Sequence, residues 1–186
     1  MSEIYLPLID LARDAIRLHL EAIETGGEVG DVSLPASFPR RLPDELRRPA
    51  GVFVTLWARG RELRGCIGHV SPVHDTLVEE VASCAIASAT EDPRFPPVAL
   101  HELALLEVEI SILETPEKIR GLESLDPGVY GVIVSSGYRR GVLLPEVDGV
   151  DTAEQQVEIA KAKGGIRPGE PVALERFRVL KIRLEE

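Results

Sequence analysis

The segment with the clearest chemical potential is Leu63-Arg-Gly-Cys-Ile-Gly-His69. Read as a strand with period two, it puts Leu63, Gly65 and Ile67 on one face and Arg64, Cys66 and Gly68 on the other. Leu63 and Ile67 then face the core. Arg64 shares the thiol's face, where a guanidinium favours the thiolate and makes Cys66 a candidate nucleophile. Gly65 and Gly68 flank the thiol without side chains, which lets a ligand or another backbone approach closely. His69 is a candidate base, although alternation assigns it to the face opposite Cys66. The competing reading is a small, inert Cys in a tightly packed strand, with its glycines serving packing.

Other candidates lie downstream. Asp92-Pro-Arg-Phe-Pro-Pro97 is stiffened by three prolines, so Arg94 can be held for an anionic group at low entropic cost. An internal Asp92–Arg94 or Arg94–Glu109 ion pair explains the same residues. Phe95 serves either as a hydrophobic plug or as a stacking surface for a substrate. In Leu103–Leu113, Val108, Ile110 and Ile112 alternate with Glu107, Glu109 and Ser111. Glu109 is therefore a candidate proton carrier if its face lines a site.

These residues need elements to hold them. Apolar spacing predicts a helix from about Ser2 to Ile23, ended by Gly26-Gly27. A Gly- and Pro-rich excursion follows to Pro49, interrupted near Asp44–Arg48. Strands at 51–57 and 63–69 form a hairpin. Ser71-Pro72 then opens a helix from Val73 to Thr90, whose Leu77, Val81, Cys84 and Ser88 share one flank. Further strands are expected at 103–113, 129–135, 141–144 and 172–184. A helix is expected between an Asp151-x-x-Glu154 capping box and Gly164-Gly165. The order is that of an α+β fold with a mainly antiparallel sheet and flanking helices.

The chain has 186 residues, enough for one domain, and its 21 basic and 31 acidic residues give a net charge of −10. That balance opposes indiscriminate binding to nucleic acid or anionic lipid. Arg40-Arg41, Arg47-Arg48 and Arg139-Arg140 lack interleaved aromatics and read as solvated surface. Two cysteines and four histidines show no paired metal-ligand spacing, and no dinucleotide or phosphate-loop motif is present. Neither a metal nor a cofactor is therefore expected. The acidic amino-terminal segment is unlike a signal peptide, so a cytoplasmic location is expected.

LRGCIG resembles the signature of the AMMECR domain family. GVFVTL at 51–56, DPRFPP at 92–97, LEVEISIL at 106–113 and GVLLPEV at 141–147 resemble its other blocks, in order. Glu146 stands where the family pattern usually has Gln, and AKAKGGI at 160–166 departs from the family's Cys- and Lys-containing segment. The resemblance implies a single AMMECR-like domain over 1–186, two-lobed, with a groove between the lobes. A smaller lobe would be formed by roughly 26–50 and part of the carboxy-terminal region. It further implies partnership with Memo-like and radical S-adenosylmethionine proteins, and a nucleotide or RNA ligand, as one component of a modification system. Two functions follow as expectations. In one, an enzyme uses Cys66, Arg64 and Glu109 for chemistry, with Gly65, Gly68, His69, Asp92, Arg94 and Phe95 around the substrate. In the other, a non-catalytic module offers the same groove to a peptide or protein.

Overall fold

Two four-stranded antiparallel sheets organise the chain, which divides into two compact units. The structure, a computed structural model, describes residues 3–27 and 43–184. The Arg40-Arg41 pair and most of the excursion expected before Pro49 lie outside these residues. The first unit takes the described residues up to Ile112 together with Lys181 onward; the second is Leu113–Leu180.

In the first unit, helix α1 spans Pro7–Glu24, helix α2 Asp44–Arg47 and helix α3 Leu77–Thr90. Strands β1 (Val52–Ala58), β2 (Glu62–His69), β3 (Glu107–Leu113) and, from the end of the chain, β8 (Val179–Ile182) form a sheet of order β2-β1-β3-β8. The remaining elements are β4 (Glu117–Ile119), β5 (Gly131–Ser136), β6 (Arg139–Leu143), helix α4 (Ala153–Lys163) and β7 (Ala173–Phe177). They build the second unit on a sheet of order β4-β7-β5-β6.

Helix α3 lies against α1 and across β1 and β2. Its Leu77, Val81, Cys84 and Ser88 are all buried, as are Val78, Ala82, Ala85 and Ala89 on the next flank. That explains why this helix lacks a polar stripe: it is covered on two sides. The small side chains permit close approach. A Cβ on Gly65 would strike the Ser88 carbonyl, so glycine at that position is set by helix-on-strand packing. Ser88 also stitches the layers, accepting from the Ile67 N–H at 2.8 Å and donating to the Val54 carbonyl at 2.8 Å.

In the second unit, Val132, Val134, Leu143, Val157, Ala160 and Ile166 form the core between α4 and the sheet. A Cβ on Gly141 would strike the Ala160 carbonyl, another close helix–strand approach. No helix among the described residues is long and apolar enough to cross a membrane.

Several expectations need correcting. The first helix starts at Pro7, with proline in its first turn, and the residues before it form a short 3-10 turn at Glu3–Tyr5. Helix α3 starts at Leu77 rather than Val73. Thr76 caps it by accepting from Glu79 N, while the Val73 and His74 N–H groups both donate to the Glu80 carboxylate. The capping box of α4 is Thr152–Gln155, one residue later than Asp151–Glu154. The strand expected at 172–184 divides at Arg178 into β7 and β8, which belong to different sheets. Finally, the register of β2 against β1 shifts between Leu56 and Trp57: Gly65 faces Leu56, whereas Leu63 faces Trp57. Arg64 is the additional residue of this bulge, so simple alternation across Leu63–Gly65 fails there.

Candidate functional site

Cys66, Thr55 and Glu109 form one row across three strands. Thr55 of β1 is directly opposite Cys66 of β2 and directly opposite Glu109 of β3. Partners that face one another in an antiparallel sheet project to the same side, and this is the side opposite the α3-covered Val54 and Leu56. The Thr55 hydroxyl donates to Cys66 Sγ at 3.3 Å. Cys66 is partly exposed, whereas Thr55 and Glu109 are buried. The Glu109 carboxylate meets Arg61 Nη2 at 3.3 Å and Arg183 Nη1 at 3.9 Å. Thr55 carried no signal in the sequence beyond its place in GVFVTL; only strand register brings it to the thiol.

The Cys66 backbone is fixed from outside the sheet by the proline-rich loop. Its N–H donates to Asp92 Oδ2 at 2.9 Å. Arg94 grips the same carboxylate through Nε at 2.9 Å and Nη2 at 2.7 Å, and Nη2 also reaches the Cys66 carbonyl at 3.4 Å. The Arg94 N–H donates to Asp92 Oδ1 at 3.1 Å, closing the turn. Asp92 is 4% exposed. The Arg94 guanidinium holds its carboxyl well below the usual carboxylate range, against the opposing effect of burial and with help from the Cys66 amide. Phe95 is half-buried beneath the guanidinium, whose carbon lies 5.5 Å from the ring centre.

Arg64 is placed differently from its neighbour. Its guanidinium donates to the Pro96 carbonyl at 3.0 Å, the Pro97 carbonyl at 3.5 Å and the Glu102 carboxylate at 3.2–3.3 Å. Glu102 also accepts from Ala99 N, and these donors lower its pKa. Arg64 thus ties the edge strand to the loop after DPRFPP. Gly68 lies against β1, where a Cβ would collide with Phe53 and the Val52 carbonyl. His69 faces Val52 and belongs to the α3-covered side, with its Nδ1 2.7 Å from Glu80 Oε1 and 3.7 Å from Cys84 Sγ. The structure therefore brings Cys66, Asp92 and Arg94 together, aligns Glu109 with Cys66 in a row across the strands, and gives His69 other partners.

The two cysteines differ sharply. Cys84 is fully buried, and its thiol is pushed up to about 12, first by burial and then by the neighbouring Glu80 charge. Cys66 stands at an accessible position with a hydroxyl donor directed at its sulfur.

The AMMECR1 family model matches residues 9–182. A Thermotoga maritima protein is 50% identical over 140 residues, covering 74% of this chain and 80% of that protein. A Clostridium acetobutylicum protein is 38% identical over 174 residues, which cover 93% of this chain but 35% of that relative, so this chain spans only about a third of its length. The crystal structure of an uncharacterized protein from Pyrococcus horikoshii superimposes with a TM-score of 0.82 at 36% identity, covering 100% of this chain and 93% of that one.

Proposed function

The chain belongs to the AMMECR1 family, and from that premise we propose that it is an enzyme, or an enzyme subunit, that uses Cys66 on a small nucleotide-like or RNA-borne substrate. The observation that carries this reading is the pairing of a partly exposed thiol with the Thr55 hydroxyl at 3.3 Å, on a backbone held at both its N–H and its carbonyl. A hydroxyl donor supports negative charge on sulfur, and a pinned backbone fixes the direction of attack. Glu109 stands two strand spacings from Cys66, about 10 Å. That distance suits it to a proton on a bound substrate rather than to the thiol itself. Arg94, whose side chain is 54% exposed, offers its outer edge to an anionic group while Asp92 holds the inner one. In such a modification system the chain would work beside Memo-like and radical S-adenosylmethionine proteins.

The test is protection of Cys66 from alkylation. Mononucleotides or short RNAs should slow modification of Cys66, while a peptide library should not. A second reading, a non-catalytic peptide- or protein-binding module, is favoured by one observation: His69, the candidate base, is bonded to Glu80 on the face of the sheet opposite Cys66. Protection by peptides and not by nucleotides would select it.

A further inference from the structure

On the α3-covered side of the same sheet, His69, Glu80 and Cys84 converge. Their donor atoms Nδ1, Oε1 and Sγ all lie within 4.8 Å of one another. We propose that these three side chains form a binding site for a thiophilic divalent cation of the zinc type, with one position left for water.

The donor set carries the chemistry. A thiolate, an imidazole and a carboxylate are the ligand types zinc takes, and three protein ligands with an open fourth position is its usual non-structural arrangement. Together a thiolate and a carboxylate balance the charge of a divalent ion. The spacing also fits. Metal–ligand bonds of about 2.0–2.3 Å at tetrahedral angles separate neighbouring ligand atoms by roughly 3.3–3.6 Å. Here Sγ is 3.7 Å from Nδ1 and 3.9 Å from Oε1, while Nδ1 and Oε1 are 2.7 Å apart in a hydrogen bond. Drawing sulfur inward by a few tenths of an ångström and opening the His–Glu hydrogen bond by about half an ångström yields the tetrahedral spacing.

The supporting shell is already built. Glu80 and Cys84 sit one helical turn apart on α3, so both point the same way. The second oxygen of Glu80 accepts from the Val73 and His74 N–H groups, each at 2.8 Å, which directs the first oxygen at the cluster. Glu80 is fully buried, and among the described residues the one basic side chain upon it is the His69 imidazole. A buried carboxylate with so little cationic compensation gains from a metal ion. The His69 side chain is 39% exposed, which gives the ion a route in.

The test uses the full chain carrying Cys66→Ser, in which Cys84 is the sole thiol. Zinc binding is followed by calorimetry, and cobalt(II) binding by its thiolate-to-metal charge-transfer absorption. One equivalent should bind, and the charge-transfer band should appear. Adding Cys84→Ser should abolish the band, and adding His69→Gln should weaken zinc binding by more than the roughly 10–100-fold lost on removing a supporting group. Neither change removes the backbone cap that Glu80 provides, and circular dichroism verifies folding. Absence of stoichiometric binding in the Cys66→Ser chain, or binding that survives both further substitutions, would overturn the proposal and leave the cluster as a hydrogen-bond network.

Discussion

Asp92→Ala should destabilise the first unit by about 3 kcal/mol. The carboxylate accepts four hydrogen bonds, from Cys66 N, Arg94 N, Arg94 Nε and Arg94 Nη2. Truncation strands the Cys66 amide, at a cost of about 1–3 kcal/mol for an unpaired buried donor. The Arg94 contribution is smaller, about 0–1 kcal/mol, because a half-exposed guanidinium regains water. Loss of the side-chain turn, in which the Arg94 N–H donates to Asp92 Oδ1, supplies the remainder. For a chain of this size the total corresponds to a Tm lower by roughly 6–12 °C. Trp57, the single tryptophan, lies on β1 and reports unfolding of this unit by fluorescence. The pH dependence has a definite sign. Because the native carboxyl is held below its ordinary value of about 3.9, its contribution is present in full at neutral pH. It is lost as pH falls below about 4 toward the depressed native value, so the gap between wild type and Asp92→Ala should be flat near neutrality and narrow in acid. A cost below about 0.5 kcal/mol, or a gap that widens in acid, would mean that the Asp92 carboxylate does not hold the Cys66 strand.

Other substitutions probe the scaffold. Ser88→Ala removes the hydroxyl between Ile67 N and the Val54 carbonyl and should cost about 1–3 kcal/mol, read by urea denaturation with Trp57 fluorescence. Gly65→Ala drives a methyl group into the Ser88 carbonyl and should cost about 1–3 kcal/mol or more, with hydrogen exchange in α3 accelerated. In the second unit, Arg139 and then the Arg167 amide lower Glu170 to about 2. Its stabilising contribution should persist down to about pH 4 and be lost as pH falls through about 2, a titration that carbon-detected NMR of the Glu170 carboxyl would follow.

Local chemistry made much of this architecture legible. The β-branched run at 52–56, the turn at Gly60 and the alternation of 107–112 all mark strands that the structure contains. The flank of Leu77, Val81, Cys84 and Ser88 that the spacing of α3 marks is buried in the structure. What stayed hidden depends on long-range partners. Val73 and His74 follow Ser71-Pro72 as a first helical turn would, but their N–H groups are claimed by a carboxylate seven and six residues ahead, respectively. Alternation through 172–184 runs continuously in sequence, and nothing local records that Arg178 divides two sheets. At the site, the internal Asp92–Arg94 pair was one of two readings of a stiff loop, and it forms. Thr55 was invisible because only register sets it beside Cys66. The cluster of His69, Glu80 and Cys84 had no sequence signal: Glu80 and Cys84 lie one turn apart on α3, and His69 of β2 joins them only because α3 crosses that strand.

Cys66 and Cys84 are thiols of different kinds, one partly exposed and available for chemistry and one buried. Iodoacetamide labelling of the native protein at neutral pH, with each site quantified by peptide mass spectrometry, tests this directly. Cys66 should be modified at least about tenfold faster than Cys84, and denaturation should erase the difference. Equal, slow labelling of both in the folded protein would contradict the account and make Cys66 a packing residue.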